Sequence, residues 1–85
     1  MNYTLVSTSN FERGLRRLSS ADLDRSRRTL NDIASDPYSF KELWGKFRGL
    51  RSARFGDYRI IYTIIAAKKQ IILLAVEPRG AVYER

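Results

Sequence analysis

The two longest apolar runs of this 85-residue chain follow one another closely and limit the folds that it can adopt. Residues 58–66 and residues 70–77 are rich in Ile, Leu, Val and Tyr, and only Ala67, Lys68 and Lys69 separate them. Both runs are too short to cross a membrane, which takes about 20 apolar residues. Because β-branched and aromatic residues favour strands, we predict a hairpin whose strands are apolar on both faces, as in the centre of a sheet.

Two further strands precede this hairpin in the sequence. Residues 3–7 alternate between polar and apolar side chains and are predicted to form a short strand. Residues 50–55 are predicted to form another strand, which a tight turn at Gly56 and Asp57 connects to the first apolar run. The sequence therefore predicts four strands.

Two capping motifs predict a helical hairpin between the first strand and the second. Ser9 with Glu12 three residues later is a capping box, and the helix that it starts reaches about Leu18. Ser19 begins a second helix, which ends before Pro37. One face of this second helix is predicted to contain Leu23, Arg27, Leu30, Ile33 and Ala34.

The resulting order, β-α-α-β-β-β, predicts an α+β fold in which a helical hairpin packs on a mainly antiparallel four-stranded sheet. The connector, residues 36–49, is rich in large apolar side chains and should pack on the domain: Tyr38, Phe40, Leu43, Trp44 and Phe47. No internal repeat or low-complexity tract interrupts the chain, so residues 1–85 are predicted to form a single domain.

The charge of the chain points to a polyanionic partner. Twelve Arg and four Lys outnumber nine acids, which gives a formal net charge of +7. A small protein this basic usually meets nucleic acid, a ribosome, an anionic membrane or an acidic protein. The chain has neither Cys nor His, which leaves no plausible zinc site, and no other metal or cofactor is expected. Since the sequence contains no signal peptide and no membrane span, a cytoplasmic location is expected.

A set of five cations lies in the connector and around the turn at Gly56, without an acid between Leu43 and Gly56: Lys46, Arg48, Arg51, Arg54 and Arg59. Aromatic side chains alternate with these cations, which suits a phosphate backbone with stacked bases. A solvated edge strand that uses its charge against aggregation is an equally good interpretation. Arg51 and Arg54 lie on opposite faces of their strand, because they are three positions apart.

Arg59 begins the central strand on an otherwise apolar face. A cation at such a position is costly unless an anion meets it there. That anion is either a carboxylate of this protein, with Asp57, Glu77 and Glu84 as candidates, or a phosphate of another molecule. The cost of the position favours a functional role.

Six arginines lie on the predicted helical hairpin and are only partly offset by three aspartates: Arg13, Arg16, Arg17, Arg25, Arg27 and Arg28. A solvated helix surface is the simpler interpretation of this charge. Docking to ribosomal RNA or to an acidic partner is the alternative.

As a whole, the sequence resembles the RelE/ParE superfamily of toxins from toxin–antitoxin systems over nearly its full length. The most specific segments are residues 54–62, which read RFGDYRIIY, and residues 79–83, which read RGAVY. The family typically shows a similar Arg-x-Gly-Asp-Tyr-Arg-x-x-Tyr block and a similar Arg-x-x-x-Tyr ending. Both segments occur here at the separation that is typical of the family.

The resemblance implies an mRNA interferase, an endoribonuclease that cuts messenger RNA on the ribosome and is bound by a cognate antitoxin from the same operon. In that chemistry the 2′-hydroxyl of the RNA attacks the adjacent phosphate, and no metal is required. By resemblance, Arg59 contacts phosphate, Arg79 stabilises the transition state, and Tyr83 stacks on or orients the nucleotide. Arg51 and Arg54 occupy the strand that bears basic catalytic residues in ribosome-dependent toxins, and Lys46 and Arg48 are expected to add RNA contacts.

The sequence departs from the family pattern in two ways. Well-studied members carry lysines near the positions of Leu50, Arg51 and Ser52, and many carry His at the position of Pro78. Arginine is a poor general base, so the proton acceptor is unassigned, and Lys46 or Glu77 fills this role only if the fold brings it near the phosphate. Two alternatives stay open: a ParE-like inhibitor of DNA gyrase, and a catalytically weak member that acts mainly through antitoxin binding.

Overall fold

The structure, a computed structural model, describes residues 3–80. In chain order the elements are β1 (Thr4–Ser7), α1 (Ser9–Leu15), α2 (Ser20–Ser35), β2 (Lys41–Glu42), β3 (Leu50–Phe55), β4 (Tyr58–Ile65) and β5 (Gln70–Pro78). Short 3-10 helices occupy Pro37–Ser39, Gly45–Phe47 and Ala66–Lys68. The helices within residues 3–80 are all too short or too polar to cross a membrane.

The five strands form one mixed sheet in the order β1-β5-β4-β3-β2. β4 lies at the centre, as its two apolar faces predict, and its pairing with β3 and β5 is antiparallel. β1 pairs with β5 in parallel. The α+β class is confirmed, whereas the predicted number of four strands is wrong. Lys41 and Glu42 of the connector add a fifth strand, which is too short to show a periodic pattern in the sequence.

Apolar side chains cover the sheet on both faces. On one face, Phe11 of α1 and Ile33 of α2 pack with Ile60, Tyr62 and Ile71 of the sheet. We call this side the helix face. On the opposite side, which we call the open face, a smaller cluster forms where Leu43 of the connector packs on Ile61 and Ala75. The prediction that the connector packs on the domain is confirmed for Phe40, Leu43 and Phe47, but it is wrong for Tyr38 and Trp44, whose side chains are exposed.

The N-cap of the first helix lies one residue earlier than predicted. Thr8, and not Ser9, is the N-cap, because its hydroxyl accepts a hydrogen bond from the backbone N–H of Phe11 at 3.2 Å. The same hydroxyl donates to the carbonyl oxygen of Leu73 at 2.8 Å, which fixes the start of the helix against the sheet. The helix ends at Leu15 and not at Leu18.

The second helix begins as predicted, with the hydroxyl of Ser19 accepting from the N–H of Asp22 at 3.1 Å. Its predicted buried face is wrong at one position. Arg27 is exposed and forms an ion pair with Asp24 at 3.0 Å, whereas Ser26 is buried. Ser26 satisfies its hydroxyl by donating to the carbonyl oxygen of Leu23, so a polar residue fits the buried face at a small cost.

Candidate functional site

Arg54 and Arg59 face each other across the β3–β4 hairpin. The hairpin turns at Gly56 and Asp57, and Gly56 adopts a φ of 53°, a backbone conformation that favours glycine. The register of the two strands pairs Arg54 directly with Arg59. Paired residues of antiparallel strands project from the same face, so both arginines lie on the open face.

A groove of about 420 Å³ lies beside this arginine pair. Its walls combine two serines, an aromatic ring and three cations: Ser39, Phe40, Lys41, Ser52, Arg54 and Arg59. Within residues 3–80, no acid lines the groove. Guanidinium groups bind phosphate oxygens through two parallel hydrogen bonds, so this arrangement can bind a phosphate.

The main chain holds Arg79 next to the arginine pair. The backbone N–H of Arg79 donates to the carbonyl oxygen of Asp57 at 2.9 Å. Its carbonyl oxygen accepts a hydrogen bond from Nη2 of Arg59 at 2.5 Å. The end of β5 is therefore tied both to the β3–β4 turn and to Arg59, and the backbone of Arg79 lies at the same end of the sheet as Arg54 and Arg59. The side chain of Arg79 is exposed, while Nε of Arg59 is buried.

A strand irregularity determines which residue of β5 lies beside Arg59. The register between β4 and β5 shifts between Ile61 and Tyr62, and beyond this shift Glu77 lies opposite Arg59. With an unbroken register Val76 would lie there. Of the three carboxylates that the sequence offered to Arg59, Glu77 is the one on the neighbouring strand, Asp57 lies in the turn, and Glu84 lies outside the described residues.

Arg51 lies on the helix face and is engaged within the protein. Its Nη1 donates to the carbonyl oxygens of Phe40 at 2.7 Å and Tyr38 at 3.3 Å. Its Nη2 lies 3.6 Å from the carboxylate of Glu42, and its guanidinium lies 5.3 Å from the ring centroid of Tyr38. The parity argument that separates Arg51 from Arg54 is confirmed, and Arg51 fastens the connector to the edge of the sheet.

Lys46 and Arg48 lie in the connector, outside the groove. Nζ of Lys46 lies 5.4 Å from the ring centroid of Phe47. Arg48 lines a separate depression of about 290 Å³ together with Glu42, Leu43, Trp44 and Gly45. Tyr83 lies outside the described residues.

Three residues of the groove were not singled out from the sequence: Ser39, Lys41 and Ser52. Lys41 reaches the groove because it pairs with Ser52 in the two-residue strand β2. Nothing in the composition of the connector marks Lys41 as different from the other cations. Only the strand pairing explains its position.

The arginines of the helices differ in their surroundings. Arg25 and Arg27 form ion pairs with Asp22 and Asp24 within α2. Arg13 of α1 and Arg17, in the turn after α1, line a small cleft of about 130 Å³ that reaches the end of β5, with the lining residues Asn10, Arg13, Gly14, Arg17, Val76, Glu77 and Pro78. The positive surface of α1 thus extends to the end of the sheet at which Arg54, Arg59 and the backbone of Arg79 lie.

Comparison with known proteins gives one family and a consistent set of solved structures. The family model described as the ParE toxin of type II toxin–antitoxin system, parDE, matches residues 8–83. None of the curated protein sequences is significantly similar to the chain.

The similar structures include toxin–antitoxin complexes. The RelBE2 complex from Mycobacterium tuberculosis has a chain that is 28% identical, with a TM-score of 0.85, and the match covers 93% of this chain and 100% of that one. The RelE–RelB complex from Pyrococcus horikoshii has a chain that is 29% identical, with a TM-score of 0.79 and coverage of 96% and 100%. The isolated RelE toxin of E. coli, at 17% identity, a TM-score of 0.77 and coverage of 94% and 87%, shares the fold.

Proposed function

This chain belongs to the family of ParE toxins of type II toxin–antitoxin systems, within the RelE/ParE superfamily, and we propose that it is an endoribonuclease that cleaves messenger RNA on the ribosome. The observation that carries the proposal is the groove on the open face, in which Arg54 and Arg59 oppose each other beside Lys41, and whose lining among the described residues is cationic, serine and Phe40. A groove with this charge suits the phosphate of a single-stranded RNA.

The proposed reaction is an internal attack by the RNA on its own backbone. The 2′-oxygen forms a bond to the adjacent phosphorus while the bond from phosphorus to the 5′-oxygen breaks, which yields a 2′,3′-cyclic phosphate and a free 5′-hydroxyl. The 2′-hydroxyl loses one proton and the departing 5′-oxygen gains one. The protein must therefore hold the nucleotide in line, stabilise the added negative charge and transfer these protons.

The arginines supply the first two of these tasks. Arg54 and Arg59 approach the groove from opposite strands, so their guanidiniums suit two non-bridging oxygens of one phosphate. Arg79 is joined to Arg59 through its carbonyl oxygen, and its exposed side chain is available to the phosphate as charge develops. Because the backbone of Arg79 is already hydrogen-bonded, little ordering is needed when RNA binds.

Glu77 is the proposed proton acceptor. Its position opposite Arg59 in the sheet gives the site a carboxylate beside the phosphate-binding cations. Lys46 is the weaker candidate, since its ammonium group lies at the ring of Phe47 in a different part of the connector. A carboxylate near a bound phosphate suits general base catalysis once the 2′-hydroxyl comes within hydrogen-bond reach.

The proposed partners are a cognate antitoxin, the ribosome and messenger RNA. Both relatives with 28–29% identity were solved as complexes of RelE-type and RelB-type chains, which supports an antitoxin encoded beside this toxin. The net charge of +7 favours an acidic antitoxin that folds on binding. The exposed arginines of α1 and α2 are suited to contacts with ribosomal RNA.

The central test is cleavage of ribosome-bound message, mapped by primer extension, with Arg79→Ala as the matched variant. We expect Arg79→Ala to cleave about 10²–10³ times more slowly, because it loses one transition-state contact. Its melting temperature should stay that of the wild type, since the side chain is exposed and both backbone hydrogen bonds remain. Full cleavage by Arg79→Ala would remove this residue from the site.

A second measurement separates this function from inhibition of DNA gyrase, the alternative that the resemblance to ParE toxins implies. Pulse labelling after induction should show that protein synthesis falls before DNA synthesis. If DNA synthesis falls first, with DNA breaks that depend on gyrase, the protein is a gyrase inhibitor and not a nuclease.

A further inference from the structure

The connector contains an exposed aromatic side chain that the proposed reaction does not use. Trp44 is the sole tryptophan of the chain and is 69% exposed, more than the other large apolar residues of the described part of the chain. Most large apolar side chains of this domain are buried or half-buried against the sheet. An exposed indole of this size suggests a contact with another molecule.

The backbone that carries Trp44 is held in place by the sheet and by its own hydrogen bonds. Leu43, directly before Trp44, is only 2% exposed, and its N–H donates to the carbonyl oxygen of Leu50 at 2.9 Å, which closes the loop. The carbonyl oxygen of Trp44 accepts from the N–H of Phe47 at 3.2 Å. Phe47 packs on the cluster of the open face. The indole is therefore attached to an ordered loop, and its binding costs little backbone entropy.

The surroundings of Trp44 combine one apolar wall with hydrophilic groups. The depression of about 290 Å³ at this position is lined by Glu42, Leu43, Trp44, Gly45 and Arg48. The charge of Glu42 is partly offset by Arg51, whose guanidinium lies 3.6 Å away. Lys46 adds a second cation to the same loop. An aromatic ring next to cations is the combination that binds a nucleobase together with its phosphate.

A docking site for the apolar side chains of a protein would look different. A stable protein interface buries about 800 Å² on each partner, with an apolar centre and a polar rim. Here the apolar part of the depression consists of Leu43 and Trp44, and the remaining lining is glycine and charged side chains. Residues 43–56 also contain no acid, so the positive charge continues from the loop towards Arg54.

We propose that Trp44 and Arg48 form a second RNA contact, in which the indole stacks on an unpaired nucleobase and the guanidinium binds an adjacent phosphate. The proposal rests on the proposed function only for the identity of the polyanion, because it concerns binding and not cleavage. The contact lies outside the groove of Arg54 and Arg59, so it extends the length of single-stranded RNA that the protein binds.

The test uses the tryptophan as its own reporter. The purified chain is titrated with a single-stranded 2′-O-methyl oligonucleotide of about ten nucleotides, a length within the range of single-strand binding sites. This probe cannot be cleaved, because the attacking 2′-hydroxyl is blocked. We expect tryptophan fluorescence to be quenched on binding. The affinity is measured independently by the anisotropy of a labelled oligonucleotide.

Two variants isolate the stacking contact. Trp44→Ala should weaken binding about tenfold or more, as loss of a stacked base typically does, and Trp44→Phe should recover part of the affinity. Tyr38→Ala is the matched control, since Tyr38 is also an exposed aromatic residue of the connector but its ring contacts Arg51 and Tyr3. Its RNA affinity should equal that of the wild type. Thermal melts of all three variants check that they fold.

Unchanged fluorescence together with equal affinity of Trp44→Ala would overturn the proposal. Normal RNA affinity combined with weaker binding of the purified antitoxin would overturn it as well, in favour of a protein contact. If the fluorescence of the wild type is quenched and Trp44→Ala binds RNA more weakly, but the wild type cleaves no message, the RNA contact stands and the nuclease function is refuted. If the wild type cleaves message but its fluorescence does not change on RNA binding, the nuclease function stands and the RNA contact of Trp44 is refuted.

Discussion

Arg51 and Arg54 belong to the same six-residue strand and carry the same charge, but they meet opposite surroundings. On the helix face, Arg51 donates to two main-chain carbonyls and lies against Glu42 and the ring of Tyr38. On the open face, Arg54 is exposed in a groove whose lining, in the part of the chain that the structure describes, contains other cations and no acid. One arginine has its hydrogen-bonding groups engaged by the protein, whereas the surroundings of the other suit an anion from outside.

The difference shows that the cations of one strand form two separate groups, one on each face of the sheet. Because side chains alternate between faces, charge that is adjacent in the sequence is divided by the sheet. A cation that donates to main-chain carbonyls, as Arg51 does to the part-buried carbonyl of Phe40, stabilises the fold, and removing it leaves the acceptor without its protein donor. A cation among like charges lowers stability slightly and is retained for binding. The comparison therefore predicts that variants on the two faces fail in different assays.

The largest effect is expected from Arg59→Ala, which removes the partner of Arg54 in the groove. Because Arg59 also donates to the carbonyl oxygen of Arg79, this variant should lower the melting temperature as well as the cleavage rate. Cleavage of ribosome-bound message should fall about 10²–10³-fold, the typical cost of losing one preorganised transition-state contact. Arg59→Lys keeps the charge but loses the two-pronged geometry and should recover only part of the rate. The measurement is single-turnover cleavage followed by primer extension. A wild-type rate for Arg59→Ala would remove the open face from the reaction.

The next largest effect is expected on the other face, from Arg51→Met. This variant keeps much of the side-chain volume but leaves the carbonyl oxygens of Phe40 and Tyr38 without a donor, which costs about 2 kcal/mol. For a domain of this size the melting temperature should then fall by about 10 °C. The residual folded protein should cleave RNA at a rate close to that of the wild type, because Arg51 does not line the groove.

Two controls sharpen this comparison. Arg54→Met makes the same chemical change on the open face and should melt like the wild type. Glu42→Gln removes the carboxylate near Arg51 and should cost less than 1 kcal/mol, as exposed ion pairs usually do. If Arg54→Met destabilised the protein as much as Arg51→Met, the division of roles between the two faces would be wrong.

How much of the fold and of the site could be predicted from the sequence depends on how far apart in the sequence the interacting residues lie. The central hairpin, the cap at Ser19 and the separation of Arg51 from Arg54 follow from local patterns, and each is confirmed. The position of Lys41 in the groove depends on pairing with Ser52, eleven residues later in the numbering, which no local pattern indicates.

The position of Glu77 beside Arg59 shows a second kind of limit. A strict two-residue alternation cannot predict it, because the register of β4 and β5 shifts between Ile61 and Tyr62. The meeting of Arg79 with Arg59 likewise depends on hydrogen bonds between the end of β5 and the β3–β4 turn. The sequence resemblance identified these arginines as site residues, but their geometry required the fold.

A smaller effect than that of Arg51→Met is expected at neutral pH from Tyr62→Phe. This variant tests the helix face directly, because Tyr62 pairs with Arg51 in the register of β3 and β4. The buried hydroxyl of Tyr62 donates to the carbonyl oxygen of Pro37 at 2.7 Å, where the connector begins. Its loss should cost about 1 kcal/mol. Both residues thus hold the connector on the sheet: Arg51 binds it at Tyr38 and Phe40, whereas Tyr62 binds it at Pro37.

The pH dependence of stability distinguishes Tyr62 from an exposed tyrosine. Burial raises the pKa of Tyr62 above its ordinary value of 10, Asp36 raises this pKa further, and Arg51 opposes the increase. The folded state therefore retains the phenol proton at a pH at which the unfolded chain has released it. The contribution of Tyr62 to the free energy of unfolding is fully present below pH 10. It decreases as the pH rises further, because the unfolded state then binds fewer protons than the folded state. Above pH 10, the melting temperature should fall less steeply with pH for Tyr62→Phe than for the wild type. Tyr38→Phe, which removes an exposed hydroxyl, should follow the wild type. Parallel curves for Tyr62→Phe and the wild type would mean that the phenol is not buried as the structure has it, and the helix face would then lose one of its two fastenings to the connector.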